Sequence, residues 1–321
     1  MQDTFKPGGE PAATTAICTL FEGDFHLGLA AFLNSLVRAG YSGTVWAGFR
    51  GALPPWVEQL RKSGGAPNVY SIGDQIQLTF IPLAADMHFT NYKPRFMLDL
   101  LAGPARGCEY LWYFDPDIFL CVSWKFFAGW QRYGIALCQD VNNNLPHDAP
   151  LRNEWTRIGS SLGLSNPRPL NHYYNGGMLG IAAARADFLT LWERLIAYAG
   201  ENGCDLKAFK PGNREMPFHA SDQDAVNFAA MFTPHPLSTL GPDGMGFVLG
   251  DVKMYHTVAQ KPWRGSFLLR ALAGMPPSGA MKFFLTQVSS PIRAYSPAHL
   301  AFKRFGCTLA ALIGRFYRRA G

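Results

Sequence analysis

The segment EYLWYFDPDIFLCV (109–122) constrains this chain more than any other. Leu111, Trp112, Tyr113, Phe114, Ile118, Phe119 and Leu120 enclose two carboxylates, Asp115 and Asp117, with Pro116 between them. The run reads as one long apolar strand region. Carboxylates in such surroundings are costly unless they meet a cation or hydrogen-bond donors. At the C-terminal end of a parallel strand, where ligands bind in α/β sheets, the pair would hold a divalent cation. The alternative is a solvated turn that closes the strand, with Pro116 forming the turn.

Apolar strands and amphipathic helices alternate around this segment. TAICTLFE (15–22), GTVWAGF (43–49), IQLTFIPL (76–83) and GIALCQDV (134–141) read as strands. GLAAFLNSLVRA (28–39), PPWVEQLRK (54–62) and PRFMLDLLA (94–102) read as helices, the first stopped by Gly40. The pattern indicates an α/β fold with a mostly parallel sheet. No GxGxxG follows the first strand and no GxxxxGK[ST] occurs, so a dinucleotide-binding Rossmann site and a P-loop are not supported. With 14% aromatic residues the chain is not a disordered one. The six cysteines form no CxxC pair, which excludes a zinc ribbon and points to free thiols in a reducing cytoplasm.

The second half is less regular. HYYNGGMLGIAA (172–183) reads as a strand broken at Gly176-Gly177, and ARADFLTLWERLIAYA (184–199) as an amphipathic helix. SDQDAVNFAAMF (221–232) reads as a helix capped by Ser221 or Asp222, and KMYHTVA (253–259) as a short strand. Asn175 with its two glycines offers an amide and a closely approachable backbone; a bulge explains them equally.

Charge is unevenly spread. Asp251 is the last acidic residue, and eleven of the 29 Lys and Arg follow it, so the preceding residues hold 18 basic against 23 acidic side chains. An acidic body argues against nucleic acid as a partner. From Ser296 a helix to about Arg319 would place Phe302, Phe305, Leu309, Leu312, Ile313 and Phe316 on one face. Lys303, Arg304, Arg315, Arg318 and Arg319 fall on the other. Such a helix either lies on an anionic membrane surface or packs on the domain and shows its charges to water. No window holds 18 uninterrupted apolar residues, and MQDTFKPGGEPAATT lacks the apolar core of a secretory signal. The expected location is cytoplasmic, peripheral to the inner face of a membrane.

Taken in order, the strand ending in DxD, the YNGG strand, SDQDAVN and YHTVAQKPW resemble a GT-A glycosyltransferase across about residues 15 to 264. The nearest resemblance is to the glycogenin-like and galactosyltransferase enzymes of glycosyltransferase family 8. It implies a GT-A (nucleotide-diphospho-sugar transferase) fold over 15–275, a disordered N-terminus (1–14) and a basic amphipathic C-terminal tail (276–321). It implies transfer from a nucleotide sugar, a UDP-sugar by preference, to a hydroxyl on a glycan or lipid-linked acceptor, with retention of configuration.

By the same resemblance Asp115, Asp117 and His256 hold Mn2+ or Mg2+. Two hard carboxylates and one imidazole suit that choice. Lys261 contacts the diphosphate, although four residues separate it from His256 where the family carries five. Lys93 and Arg95 stand where the family has a basic residue near the donor, and Thr19 and Leu20 match the segment that holds the base. Asp222 binds the donor sugar, Gln223 lies near the anomeric carbon, and Asn175, Gly176 and Gly177 line the sugar. Were the reaction inverting, Asp140, Asp222 or Asp224 would have to act as base. Segments 142–172 and 200–220 would shape the acceptor side. Two other functions compete: a non-catalytic binding module of the same fold, and a sugar nucleotidyltransferase. The second is disfavoured because FEGDFHLG (21–28) holds no basic residue.

Overall fold

The computed structural model describes residues 14–62, 67–141, 145–209, 216–258 and 260–317. The disorder expected of the N-terminus concerns residues outside these, except Thr14, whose carbonyl accepts from the Glu109 and Tyr110 amides.

Ten helix and strand segments build the first half: β1 (Thr15–Glu22), α1 (His26–Ala39), β2 (Gly43–Arg50), β3 (Arg61–Lys62), β4 (Val69–Ile72), β5 (Ile76–Pro82), α2 (Phe89–Ala102), β6 (Tyr110–Phe114), β7 (Ile118–Leu120) and α3 (Trp124–Trp130). The remainder are β8 (Ile135–Cys138), α4 (Pro150–Ser161), β9 (Met178–Ala182), α5 (Asp187–Glu201), α6 (Ser221–Phe232), β10 (Leu237–Leu240), β11 (Met254–His256), α7 (Phe267–Leu272), α8 (Gly279–Gln287) and α9 (Pro297–Phe316).

One sheet runs β10-β8-β9-β6-β1-β2-β5-β4-β3. Its centre, β6-β1-β2-β5, is parallel, while β9 pairs antiparallel with β6 and β8. Alternation along β1 feeds two cores. Ile17 and Phe21 face the layer built on α1, α3 and α8, whereas Ala16, Cys18 and Leu20 face α2, α5 and α6. Burial on both faces explains why these strands lack a polar period.

The apolar run 109–122 is not one strand. The main chain turns at the two aspartates, where the Ile118 amide donates to the Asp115 carbonyl at 3.1 Å. β6 ends before the turn; β7 leaves the sheet and forms an antiparallel ribbon with β11. Hydrophobicity reports burial, and both halves are buried in different sheets.

Other expectations shift for local reasons. The segment 54–62 forms a short 3-10 turn, Pro55–Gln59, and then β3. Helix α2 starts at Phe89 rather than Pro94, because the His88 ring accepts from the Thr90 amide and caps it earlier. The strand expected over 172–183 begins only at Met178. Helix α6 spans 221–232 as expected, yet Ser221 does not cap it: its hydroxyl donates to Asn91. Asp224 instead reaches back to accept from the Ala220 amide at 2.7 Å.

Helix α9 is capped by Ser296, whose side chain accepts from the His299 amide. It packs on the domain through Leu300, Cys307, Ala310 and Gly314. A Cβ at Gly314 would lie 2.3 Å from Pro276 Cβ, so glycine permits the close approach. The orientation reverses what the charge pattern suggests. The Lys303 ammonium lies over the Phe267 and Tyr295 rings, and the Arg304 guanidinium donates to the Leu285 carbonyl, so both point to the body. The aromatic stripe is left in water, with Phe302 74%, Phe305 68% and Phe316 85% exposed. Arg318 and Arg319 lie outside the described residues.

Candidate active site

The DxD turn, the β9 entry and the start of α6 converge at the C-terminal end of β6. Pairing of β11 with β7 sets His256 opposite Ile118, next to both aspartates. The Thr257 amide and hydroxyl then donate to the Asp117 carbonyl, at 3.1 and 3.2 Å. His256 Nε2 lies 3.4 Å from Asp117 Oδ1 and 3.9 Å from Asp115 Oδ2. One ligand atom from each residue lies within 4.8 Å of the others. Asp117 and His256 are buried, and Asp115 is partly open.

This donor set fits a divalent cation: two carboxylate oxygens and an imidazole nitrogen, on a hard-to-borderline scale. The backbone makes room for it. A Cβ on Gly177 would lie 2.6 Å from His256 Cε1 and 3.0 Å from Asp115 Oδ2, so only glycine lets the ring and the carboxylate approach. Burial opposes ionisation of Asp117, but His256 and Lys261 beside it hold its carboxyl below the usual range.

Two ammonium groups flank the triad. Lys261 Nζ donates to Asp117 Oδ2 and to the Thr257 carbonyl, and lies over the Phe25 ring. Lys93, from α2, is only 2% exposed. Its ammonium reaches Asp115 Oδ1 at 3.2 Å, Asp222 Oδ2 at 3.1 Å and the Gly176 carbonyl at 2.9 Å. Burial alone would depress its pKa; the two carboxylates override this and raise it. Of the two basic residues expected near the donor, Lys93 reaches Asp115 and Asp222 and Arg95 does not. Two residues along a helix face opposite ways, and Arg95 is exposed, bonded to Asp99 and Glu193.

Asn175, Gly176, Gly177, Asp222 and Gln223 meet around the same point. Asn175 Oδ1 accepts from the Gly177 amide at 2.9 Å, and Gln223 Oε1 accepts from the Gly176 amide at 3.0 Å. The Gly177 carbonyl accepts from the Asp115 amide at 2.7 Å, tying β9 to the DxD turn. Thr19 and Leu20 lie buried on β1; Leu20 packs into the core beneath α2, and the Thr19 hydroxyl is buried without a hydrogen-bond partner among the described residues.

Some contributors carried no sequence signal. Tyr113, two residues before Asp115 on the same strand face, donates to its Oδ1 at 2.8 Å. Thr257 Oγ1 lies 3.2 Å from Asp117 Oδ2. Tyr173 donates to Asp224 Oδ1 at 2.6 Å. Asp224 is pushed up to about 6, first by burial and further by Asp222, against the hydrogen bonds it accepts.

No family model and no curated protein matches this sequence. Solved structures do match. The apo structure of the bifunctional glycosyltransferase WbbM aligns at 12% identity and a TM-score of 0.53, over 94% of this chain and 53% of that one. This chain therefore spans about half the length of WbbM. An active-site mutant of LgtC aligns at 14% identity and a TM-score of 0.51, over 90% of this chain and 99% of that one. At these identities the likeness is one of fold, and the fold is GT-A.

Proposed function

We propose that this chain is a metal-assisted glycosyltransferase that moves a sugar from a nucleoside diphosphate, UDP by preference, to an acceptor hydroxyl with retention. The carrying observation is the Asp115–Asp117–His256 cluster at the mouth of β6, in contact with Lys93 and Asp222. A GT-A chain without catalytic use for such a cluster would have no reason to bury Asp117 and His256 together. Asp115, Asp117 and His256 would hold Mn2+ or Mg2+, whose charge would offset that of the departing diphosphate. Lys261, held on Asp117 and the Thr257 carbonyl, would supply a point charge for the same phosphates. Lys93 holds Asp222 at 3.1 Å, and in this reading Asp222 would accept from donor-sugar hydroxyls.

The bond from the anomeric carbon to the diphosphate oxygen breaks, and a bond to the acceptor oxygen forms on the same face. The hydroxyl proton passes to the departing diphosphate. The carboxylates that an inverting route would need favour this assignment, because all three are engaged. Both Asp224 oxygens accept hydrogen bonds, Asp140 Oδ2 accepts from two amides, and Asp222 is paired with Lys93. The test is release of nucleoside diphosphate from UDP-, GDP- and CDP-sugars, with Mn2+ and with chelator. Metal-dependent release from one UDP-sugar, lost in Asp117→Asn, supports the assignment; no release from any donor refutes it.

We further propose that α9 docks on an anionic bilayer at the cytoplasmic face, where a lipid-linked acceptor would be presented. Soluble monomers rarely expose an aromatic stripe of this kind. Neighbouring α7 exposes Leu269 and Leu272 as well. Among the described residues after Asp251 every formal charge is positive, which complements anionic lipid. All six cysteines are free, in keeping with a reducing compartment. No described helix is long and apolar enough to cross a membrane. The loop that carries Lys261 lies next to α7: Arg270 donates to the Lys261 carbonyl at 3.3 Å. Flotation with phosphatidylglycerol vesicles should carry the protein, and Phe302→Glu with Phe305→Glu should abolish it. Equal flotation of the double variant would contradict the docking face.

A further inference from the structure

The groups around Gln223 and Asn175 converge on one carboxylate. Asp140 follows β8 and is buried. Its amide donates to the Tyr173 carbonyl at 2.9 Å, which fixes its backbone against the chain leading into Asn175. Its Oδ2 accepts from Asn175 Nδ2 at 2.7 Å and from Gln223 Nε2 at 3.3 Å. We propose that Asp140 is a positioning residue that sets the direction of both amides and, through them, the Gly176-Gly177 backbone. The proposal rests on the glycosyl-transfer assignment above for its kinetic consequence, though not for its geometry.

An ionised carboxylate only accepts hydrogen bonds. Each amide must therefore turn its nitrogen to Asp140 and its oxygen away. The oxygens then meet main-chain donors: Asn175 Oδ1 takes the Gly177 amide, and Gln223 Oε1 takes the Gly176 amide. A flipped amide would set oxygen against oxygen at one end and N–H against N–H at the other, so neither flip is tolerated. With both amides directed, the next peptides follow. The Gly176 carbonyl faces the Lys93 ammonium, and the Gly177 carbonyl accepts the Asp115 amide. One buried carboxylate just after β8 thus orders a hydrogen-bonded path that ends at the DxD turn. In this role Asp140 acts through the two amides and transfers no proton.

Two substitutions separate positioning from proton transfer. Asp140→Asn keeps one oxygen able to accept from both amides. Asp140→Ala keeps none. A misplacement of about 1 Å in such a site costs about a hundredfold in rate. Asp140→Ala should therefore lose about a hundredfold in donor turnover while calorimetric affinity for UDP with Mn2+ stays within about twofold. Asp140→Asn should stay within about tenfold of the parent. Adding Asp140→Ala to a protein that already carries Gln223→Ala and Asn175→Ala should cost little more than those two alone, since coupled neighbours are not additive. Equal loss in Asp140→Asn and Asp140→Ala would overturn the proposal and favour a general base, and so would a full further loss on top of Gln223→Ala and Asn175→Ala. If the parent protein turns over no donor, the transfer assignment is what fails. The crystal structure of Asp140→Ala then decides the positioning role alone: rotated Asn175 and Gln223 amides support it, and amides still on Gly177 and Gly176 overturn it.

Discussion

Replacing Lys93 with methionine should destabilise the protein by an amount that depends on pH. Methionine nearly matches lysine in volume, so the change removes charge and donors without opening a large cavity. The ammonium bonds Asp115, Asp222 and the Gly176 carbonyl. Its loss leaves two carboxylates uncompensated. Removing one partner of a buried ion pair costs about 3–5 kcal/mol. Side-chain exposures of 21% for Asp115 and 15% for Asp222 allow some solvation, which places the expected cost near the lower end. About 3 kcal/mol corresponds to a fall of roughly 4–5 °C in Tm for a chain of this size. The raised lysine pKa means its contribution is complete below its unfolded value, hence complete at neutral pH, and is lost only in strong alkali. Urea unfolding of both proteins at pH 7.5 measures the cost. A difference below about 1 kcal/mol would refute the argued ion-pair origin.

Two further perturbations follow from the geometry and burial of the site. Gly177→Ala would push its Cβ against His256 and Asp115, so Mn2+ affinity read by electron paramagnetic resonance should fall about 10–100-fold; an unchanged affinity contradicts the metal assignment. Asp224 has a folded pKa of about 6, above its unfolded value, so it contributes stability that is complete below pH 4 and lost as pH rises through 6, about 3 kcal/mol in all. Asp224→Asn keeps an acceptor for the Ala220 amide and should remove that part of the slope between pH 4 and 6; unfolding curves that retain the full slope would assign it elsewhere.

Much of the fold is legible in periodicity because the parallel core is built from short, doubly buried strands joined by amphipathic helices. Helix α6 and the cap of α9 emerge from local chemistry alone. Two features do not. The run 109–122 looks continuous because hydrophobicity measures burial, whereas the break between β6 and β7 depends on pairing with β11, far away in sequence. In α9 the periodicity finds the large side chains, but docking uses the small residues Cys307, Ala310 and Gly314, the last of which admits Pro276. Patterning by hydrophobicity weights the wrong face. In the site, residue types that bind metals stand out wherever apolar neighbours make them anomalous, as at Asp115 and Asp117. Lys93 and Asp222 carry no such mark, since their pairing joins positions 129 residues apart. Arg95 illustrates the opposite error: adjacency to Lys93 in sequence says nothing about side when the segment is helical.

The central claim is that Asp115, Asp117 and His256 create a cation-dependent site for a nucleoside diphosphate. Calorimetric titration of the protein with UDP, with and without Mn2+, tests it most directly, with Asp117→Asn as control. The account predicts UDP binding that requires Mn2+ and disappears in the variant. UDP binding of equal strength without Mn2+, or unchanged in Asp117→Asn, would contradict it.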